Sequence, residues 1–234
     1  MKKKTIVVHS GGMDSSLCLA LAVKEFGADQ VLAMSFRYGQ RHSKELEQAQ
    51  IICEYFQVDR VEIPLDCLER ITSSALIGNH ELIEHKQGLA PNTLVVGRNG
   101  LMARLAAIHA NDIGAKSIYM GIIEVESDNS GYRDCSRSYM DLMQKILRLD
   151  LADDEFEIVT PIVKMTKLET LELANELGVL EYLLENTITC YEGISGAGCG
   201  LCPACKLRNR GIRLYLHDHP QLKLSYKDQI LQGH

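Results

Sequence analysis

Short apolar runs alternate with amphipathic stretches along the chain. Residues 5–8 are a β-branched run that ends in a Gly-rich turn. Residues 14–26 follow, with Leu17, Leu21 and Val23 at roughly helical spacing and Gly27 as a natural stop. A second apolar run at 31–36 predicts a strand. Residues 43–56 predict a helix with Leu46, Ala49, Ile52 and Cys53 on one side, and 60–64 a third strand. Strand, helix, strand, helix, strand is the pattern of a parallel sheet with right-handed crossovers. From 66 to 92 the period is lost, and an irregular insertion with one short helix is expected. Order returns with a helix over 99–112 stopped by Gly114, a strand over 117–122, and a loop rich in Glu, Asp, Ser and Gly over 124–132. A helix over 134–149, a last strand over 157–160 closed by Pro161, and a helix over 167–176 with Gly178 just past its end complete the pattern.

Composition alters this picture little: of 234 residues, 46% are hydrophobic and 24% charged, which is ordinary for a globular chain large enough for one good core. The formal net charge of −6 and the lack of a basic stripe place a small-molecule substrate ahead of nucleic acid. Lys2, Lys3 and Lys4 imitate the start of a signal peptide, but the apolar run behind them is shorter than the roughly 7–15 residues of such a segment. No stretch reaches the roughly 18–20 apolar residues of a membrane span. A cytoplasmic location is therefore expected, in which eight cysteines act as thiols or metal ligands rather than as a disulfide framework.

Two segments carry chemistry. The first is His9-Ser10-Gly11-Gly12-Met13-Asp14-Ser15-Ser16, between the first strand and the first helix. Consecutive glycines allow a tight turn, and the free amides at the next helix start favour an anion. Ser10, Ser15 and Ser16 add hydroxyl donors at the carboxyl end of a strand, the usual ligand position in an open α/β sheet. Neither a Walker A loop nor a dinucleotide fingerprint is present. An aspartate beside phosphate makes sense if Asp14 caps the helix or if Mg²⁺ bridges it to the phosphates. The second segment is Cys190, Cys199, Cys202 and Cys205, spaced C-x8-C-x2-C-x2-C among glycines. Four thiolates at such spacing make a closed structural Zn²⁺ site, with an iron–sulfur cluster as the rival reading. Pro203 is placed to begin a helix. Cys18 and Cys53 read as small buried hydrophobes.

Ser-Gly-Gly-x-Asp-Ser resembles the pyrophosphate loop of adenylating enzymes. Taken with Tyr38-Gly39-Gln40-Arg41-His42, Pro91-Asn92-Thr93, Gly97-Arg98-Asn99, Gly131-Tyr132-Arg133-Asp134-Cys135, Thr160-Pro161, Thr189-Cys190-Tyr191 and the cysteine cluster, the chain resembles the 7-cyano-7-deazaguanine synthase family of queuosine biosynthesis over nearly its whole length. It departs from the family at Val96, where a proline is usual, and at Ala197, where an aspartate is.

The resemblance implies a Rossmann-like fold of the adenine-nucleotide alpha-hydrolase type: a three-layer α/β/α sandwich, with a catalytic domain over 1–185 and a zinc-bearing helical extension over 186–234. It implies ATP-dependent conversion of 7-carboxy-7-deazaguanine and ammonia to the nitrile, with ATP, Mg²⁺ and one Zn²⁺ per chain. The chain would be a homodimer with no nucleic-acid or membrane partner, and ammonia would arrive free or from another chain. The nucleotide segment would be His9, Ser10, Gly11, Gly12, Met13, Asp14, Ser15, Ser16, Leu17, Cys18 and Leu19. Asp14 and Ser15 would act at the phosphates with Lys164 and Lys167, and Arg98 would clamp the substrate carboxylate. Glu124, Glu126 or Asp128 would meet the base edge. The alternative is a tRNA-base-modifying adenylating enzyme of the same fold, of thiolase or lysidine-synthetase type.

Overall fold

Five parallel strands form one sheet in the order β3-β2-β1-β4-β5, with β1 at Thr5–Val8, β2 at Val31–Arg37, β3 at Asp59–Pro64, β4 at Ser117–Met120 and β5 at Glu157–Val159. The computed structural model describes residues 2–39, 43–72, 74, 77, 92–124 and 132–233. The crossover helices are α1 at Met13–Phe26, α2 at Lys44–Phe56, α4 at Arg98–Ile113, α5 at Arg137–Leu151 and α6 at Lys167–Glu176, and α3 is the short turn Leu68–Ile71. Beyond them lie α7 at Leu180–Asn186, α8 at Pro203–Asp218 and α9 at Lys227–Leu231.

The period of two along β1 divides the core. Val7 faces a cluster built with α1, α2 and α6 to α9, while Ile6 faces a second cluster built with α4 and α5. Helices therefore cover both faces, which is why the strands read as nearly unbroken apolar runs. This is the three-layer α/β sandwich that the sequence predicts.

Two boundaries differ from expectation for physical reasons. The fourth strand ends at Met120 rather than 122, because its partner β1 ends at Val8, opposite Met120. The fifth helix starts at Arg137 rather than 134. Asp134 is drawn away to α4, where its Oδ2 accepts from the Asn99 amide at 2.9 Å, and Ser136 takes the cap by accepting from the Tyr139 amide at 3.2 Å. The helices α7 and α9 were not expected. The irregular stretch does contain one short helix, α3, while 73, 75–76 and 78–91, together with Gln40, Arg41, His42 and 125–131 (hence Glu126 and Asp128), lie outside the described residues.

Strand order reverses at β1, with β2 on one side and β4 on the other. The crevice at the carboxyl ends of these strands is the topological switch point where open α/β sheets bind ligands.

Candidate functional site

A cavity of about 610 Å³ opens at that switch point. The end of β1 supplies Val8, His9 and Ser10; the end of β2, Phe36 and Tyr38; the end of β4, Met120 to Ile123. Helices α1, α2, α4, α6 and α8 add Asp14, Ser15, Glu45, Arg98, Asn99, Lys167, Lys206 and Arg210. Tyr132, Cys135, Thr189 and Tyr191 complete the wall.

The glycine-rich loop is folded by its own side chains. Ser15 Oγ accepts from the Ser10 amide at 3.1 Å and donates to the Gly12 carbonyl at 3.0 Å, and Ser16 Oγ donates to the same carbonyl at 2.8 Å. Beneath it, His9 is 1% exposed; its Nε2 meets Ser16 Oγ at 3.0 Å and its Nδ1 lies 3.6 Å from Cys53 Sγ. Burial first, and the Arg60 charge second, hold the His9 pKa down at about 3. The ring is therefore neutral and braces the loop.

The glycines serve packing. Gly11 has φ +84°, and a Cβ there would stand 2.2 Å from the Glu45 carbonyl oxygen, so its space is taken by the start of α2. A Cβ on Gly121 would stand 2.6 Å from the Ser15 amide nitrogen, so β4 presses its own glycine against the loop.

Several expected positions need correction. Asp14 does not cap α1: Gly12 is the N-cap, and no side chain caps there. Instead Lys167 Nζ donates to Asp14 Oδ1 at 2.6 Å. The side chains of Met13, Ser16, Leu17, Cys18 and Leu19 are buried in α1, while those of Asp14 and Ser15 line the cavity. Lys167 lines the cavity, but Lys164 points outward, with its side chain 67% exposed and bonded to Glu124 at 2.6 Å. Gly97 is the N-cap of α4, and the Asn99 side chain donates to Cys135 Sγ at 3.3 Å.

Arg98 opens α4 into the cavity. Its guanidinium lies 5.4 Å from the Tyr38 ring centroid, and its Nη1 donates to Tyr38 Oη at 3.3 Å. Glu45 was not foreseen. Burial raises its carboxyl to about 7 against the opposing Arg98 charge, a value suited to holding or releasing a proton at neutral pH. Burial also pushes the Cys135 thiol up to about 11, which leaves it protonated and weakly nucleophilic.

Behind the cavity, Cys190, Cys199, Cys202 and Cys205 place their sulfurs within 4.8 Å of one another. A tetrahedral centre with bonds of about 2.3 Å sets its sulfurs roughly 3.8 Å apart, so the set fits one ion. A Cβ on Gly198, at φ +72°, would stand 2.4 Å from Cys205 Sγ, so the knuckle closes only around glycine there. Cys202 is the N-cap of α8, accepting from the Cys205 amide, and Pro203 is its first residue. The cluster thus fixes the start of a helix that borders the cavity. Arg208 and Asn209 tie that helix to the Gly196 and Ala197 carbonyls at 2.5 and 2.8 Å.

Residues 4–216 match the family described as queuosine biosynthesis protein QueC. Among solved structures, a 4-thiouridine synthetase–RNA complex with bound ATP is similar over 92% of this chain and 53% of that one, at 16% identity and TM-score 0.50. The chain thus spans about half the length of that synthetase. At this identity the likeness is one of fold alone. NMN synthetase from Francisella tularensis aligns over 96% of this chain and 88% of its own, at 15% identity and TM-score 0.48. The U34-tRNA thiolase NcsA from Methanococcus maripaludis, with its [4Fe-4S] cluster, aligns over 97% and 75%, at 14% and 0.49.

Proposed function

The chain belongs to the queuosine biosynthesis protein QueC family, and from that premise we propose that it is an ATP-dependent ligase converting 7-carboxy-7-deazaguanine and ammonia to 7-cyano-7-deazaguanine. The observation that carries the reading is one cavity joining the Ser10–Ser15 loop to the Arg98–Tyr38 pair. A phosphate site and a carboxylate clamp thereby face the same space.

A carboxylate is a poor electrophile, and its oxygen a poor leaving group. Attack of that oxygen on the α-phosphorus of ATP expels pyrophosphate and leaves an acyl adenylate. Ammonia then displaces AMP to give the amide. Adenylation of the amide oxygen by a second ATP and loss of AMP leave the nitrile. No protein nucleophile is needed, consistent with a Cys135 thiol held protonated. The chain's work is to align the reactants and meet developing phosphate charge. The free loop amides and the Ser10 hydroxyl donate to phosphate oxygens, Lys167 adds a cation, and Arg98 orients the substrate carboxylate. Glu45 takes protons from the attacking amine. Mg²⁺, if Asp14 turns toward it, would neutralise phosphate charge, and Zn²⁺ on the four cysteines would be structural.

The test is incubation of the protein with ATP, Mg²⁺, ammonium and 7-carboxy-7-deazaguanine, following the base by mass spectrometry. The nitrile should accumulate with the amide as a transient. ATP binding without any change in the base would overturn the substrate assignment and favour a tRNA-modifying role.

A further inference from the structure

Helix α8 carries Lys206, Arg208, Arg210 and Arg213, and no acidic residue until Asp218 at its end. Two of these cations have internal uses: Arg208 holds the Gly196 carbonyl, and Arg213 Nη1 donates to the Ile230 carbonyl at 3.3 Å. Lys206 and Arg210 do not. They are exposed, they line the cavity, and among the described residues neither side chain has an ion pair or hydrogen bond. They stand at i and i+4 on one helix face, where like charges repel and weaken a helix. A pair kept there without a counter-charge points to an anion outside the chain.

The neighbourhood says which anion. α8 packs on α6 so closely that a Cβ on Gly211 would stand 2.6 Å from Lys167 Cγ, and Lys167 in turn reaches Asp14 beside the loop. The Gly211 side of α8 is thereby held next to the phosphate loop, and Lys206 and Arg210 line the same cavity as Ser10, Asp14 and Ser15. The donors of that loop are neutral amides and hydroxyls, and the charge of Lys167 is already matched by Asp14. A bound triphosphate would bring more negative charge than one Mg²⁺ and these groups would offset.

We propose that Lys206 and Arg210 bind the β- and γ-phosphates of ATP and retain the pyrophosphate as it leaves. The inference rests on the ATP-dependent reading above. As the bond from the α-phosphorus to its bridging oxygen breaks, that oxygen keeps the electron pair, and the two cations meet the charge that appears on the departing group. The four-cysteine cluster then has a part in nucleotide binding. Lys206 follows Cys205 directly, so the cysteine cluster at the first turn of α8 also sets where this cation stands.

The experiment is calorimetric titration of the metal-loaded wild type and of the Lys206→Ala/Arg210→Ala double variant with ATP, AMP and inorganic pyrophosphate. Both positions are exposed, so thermal midpoint and metal content should match the wild type. ATP and pyrophosphate affinity should fall about tenfold or more, AMP affinity should change less than about threefold, and Lys206→Arg/Arg210→Lys should recover most of the loss. Equal losses for ATP and AMP, or no loss for either, would overturn the assignment. So would a double variant that keeps ATP and pyrophosphate affinity but loses binding to tRNA, which would make this face an RNA contact. A wild type with no affinity for ATP would instead overturn the functional reading itself.

Discussion

Lys167 Nζ lies 2.6 Å from Asp14 Oδ1, joining the first residue of α6 to the first turn of α1 across 153 positions of sequence. The two partners are not equivalent, for the Lys167 side chain is 5% exposed and that of Asp14 31%. Losing Lys167 leaves Asp14 able to turn to water, whereas losing Asp14 takes one partner from a buried Lys167 cation. Asp14→Ala should therefore cost about 3 kcal/mol in denaturant unfolding and Lys167→Met only about 1. Both should lose ATP turnover. Equal costs, or an active Asp14→Ala protein, would show that the pair does not connect fold to site.

Gly121 lines the cavity and limits how closely the end of β4 approaches the loop. Gly121→Ala would force a methyl group to within 2.6 Å of the Ser15 amide nitrogen. Stability should drop by about 1–3 kcal/mol. ATP affinity should fall further than that of variants equally destabilised elsewhere, as isothermal titration can measure.

The buried His9 gives the fold a pH dependence. Its pKa is about 3 when folded and 6.5 as the ordinary value. Below 6.5 the unfolded chain takes a proton that the folded chain refuses, so stability contributed by the neutral ring is present above that pH and lost on acidification toward 3. The slope should reach about 1.4 kcal/mol per pH unit over that window. Urea midpoints across pH should show it, and His9→Gln should flatten it by one proton.

The cysteine cluster should hold the metal as a unit. Cys202→Ser removes a ligand and changes the N-cap of α8 together. Metal measured by emission spectrometry should be lost, and the thermal midpoint should fall by more than about 10 °C. Retained metal at wild-type stability would remove the cluster from the ligand set.

What the sequence could reveal depended on contiguity. The loop and the cysteines are each written within a short stretch, and the sheet follows from short apolar runs between amphipathic helices. Glu45, Lys206 and Arg210 reach the cavity only through packing of α2 and α8, and nothing local to them marks that. The one available signal was a run of α8 cations with no acid at i±3 or i±4. Lys164 and Lys167 look alike in sequence, and only the start of α6 decides which turns inward. Leu17, Cys18 and Leu19 continue the loop motif, yet the helical period carries them into the core. Helix α7 has 7 residues and no capping side chain, so it offered no clear period.

The central claim is that both oxygens of the substrate carboxylate leave as part of AMP. Supplying 7-carboxy-7-deazaguanine with both carboxylate oxygens replaced by ¹⁸O, together with ATP and ammonium, tests it directly by mass spectrometry of the nucleotide. The account predicts two AMP per nitrile, each carrying one ¹⁸O, and an amide intermediate that keeps one. Unlabelled AMP, or label appearing in free phosphate, would contradict adenylation of the substrate and the mechanism built on this cavity.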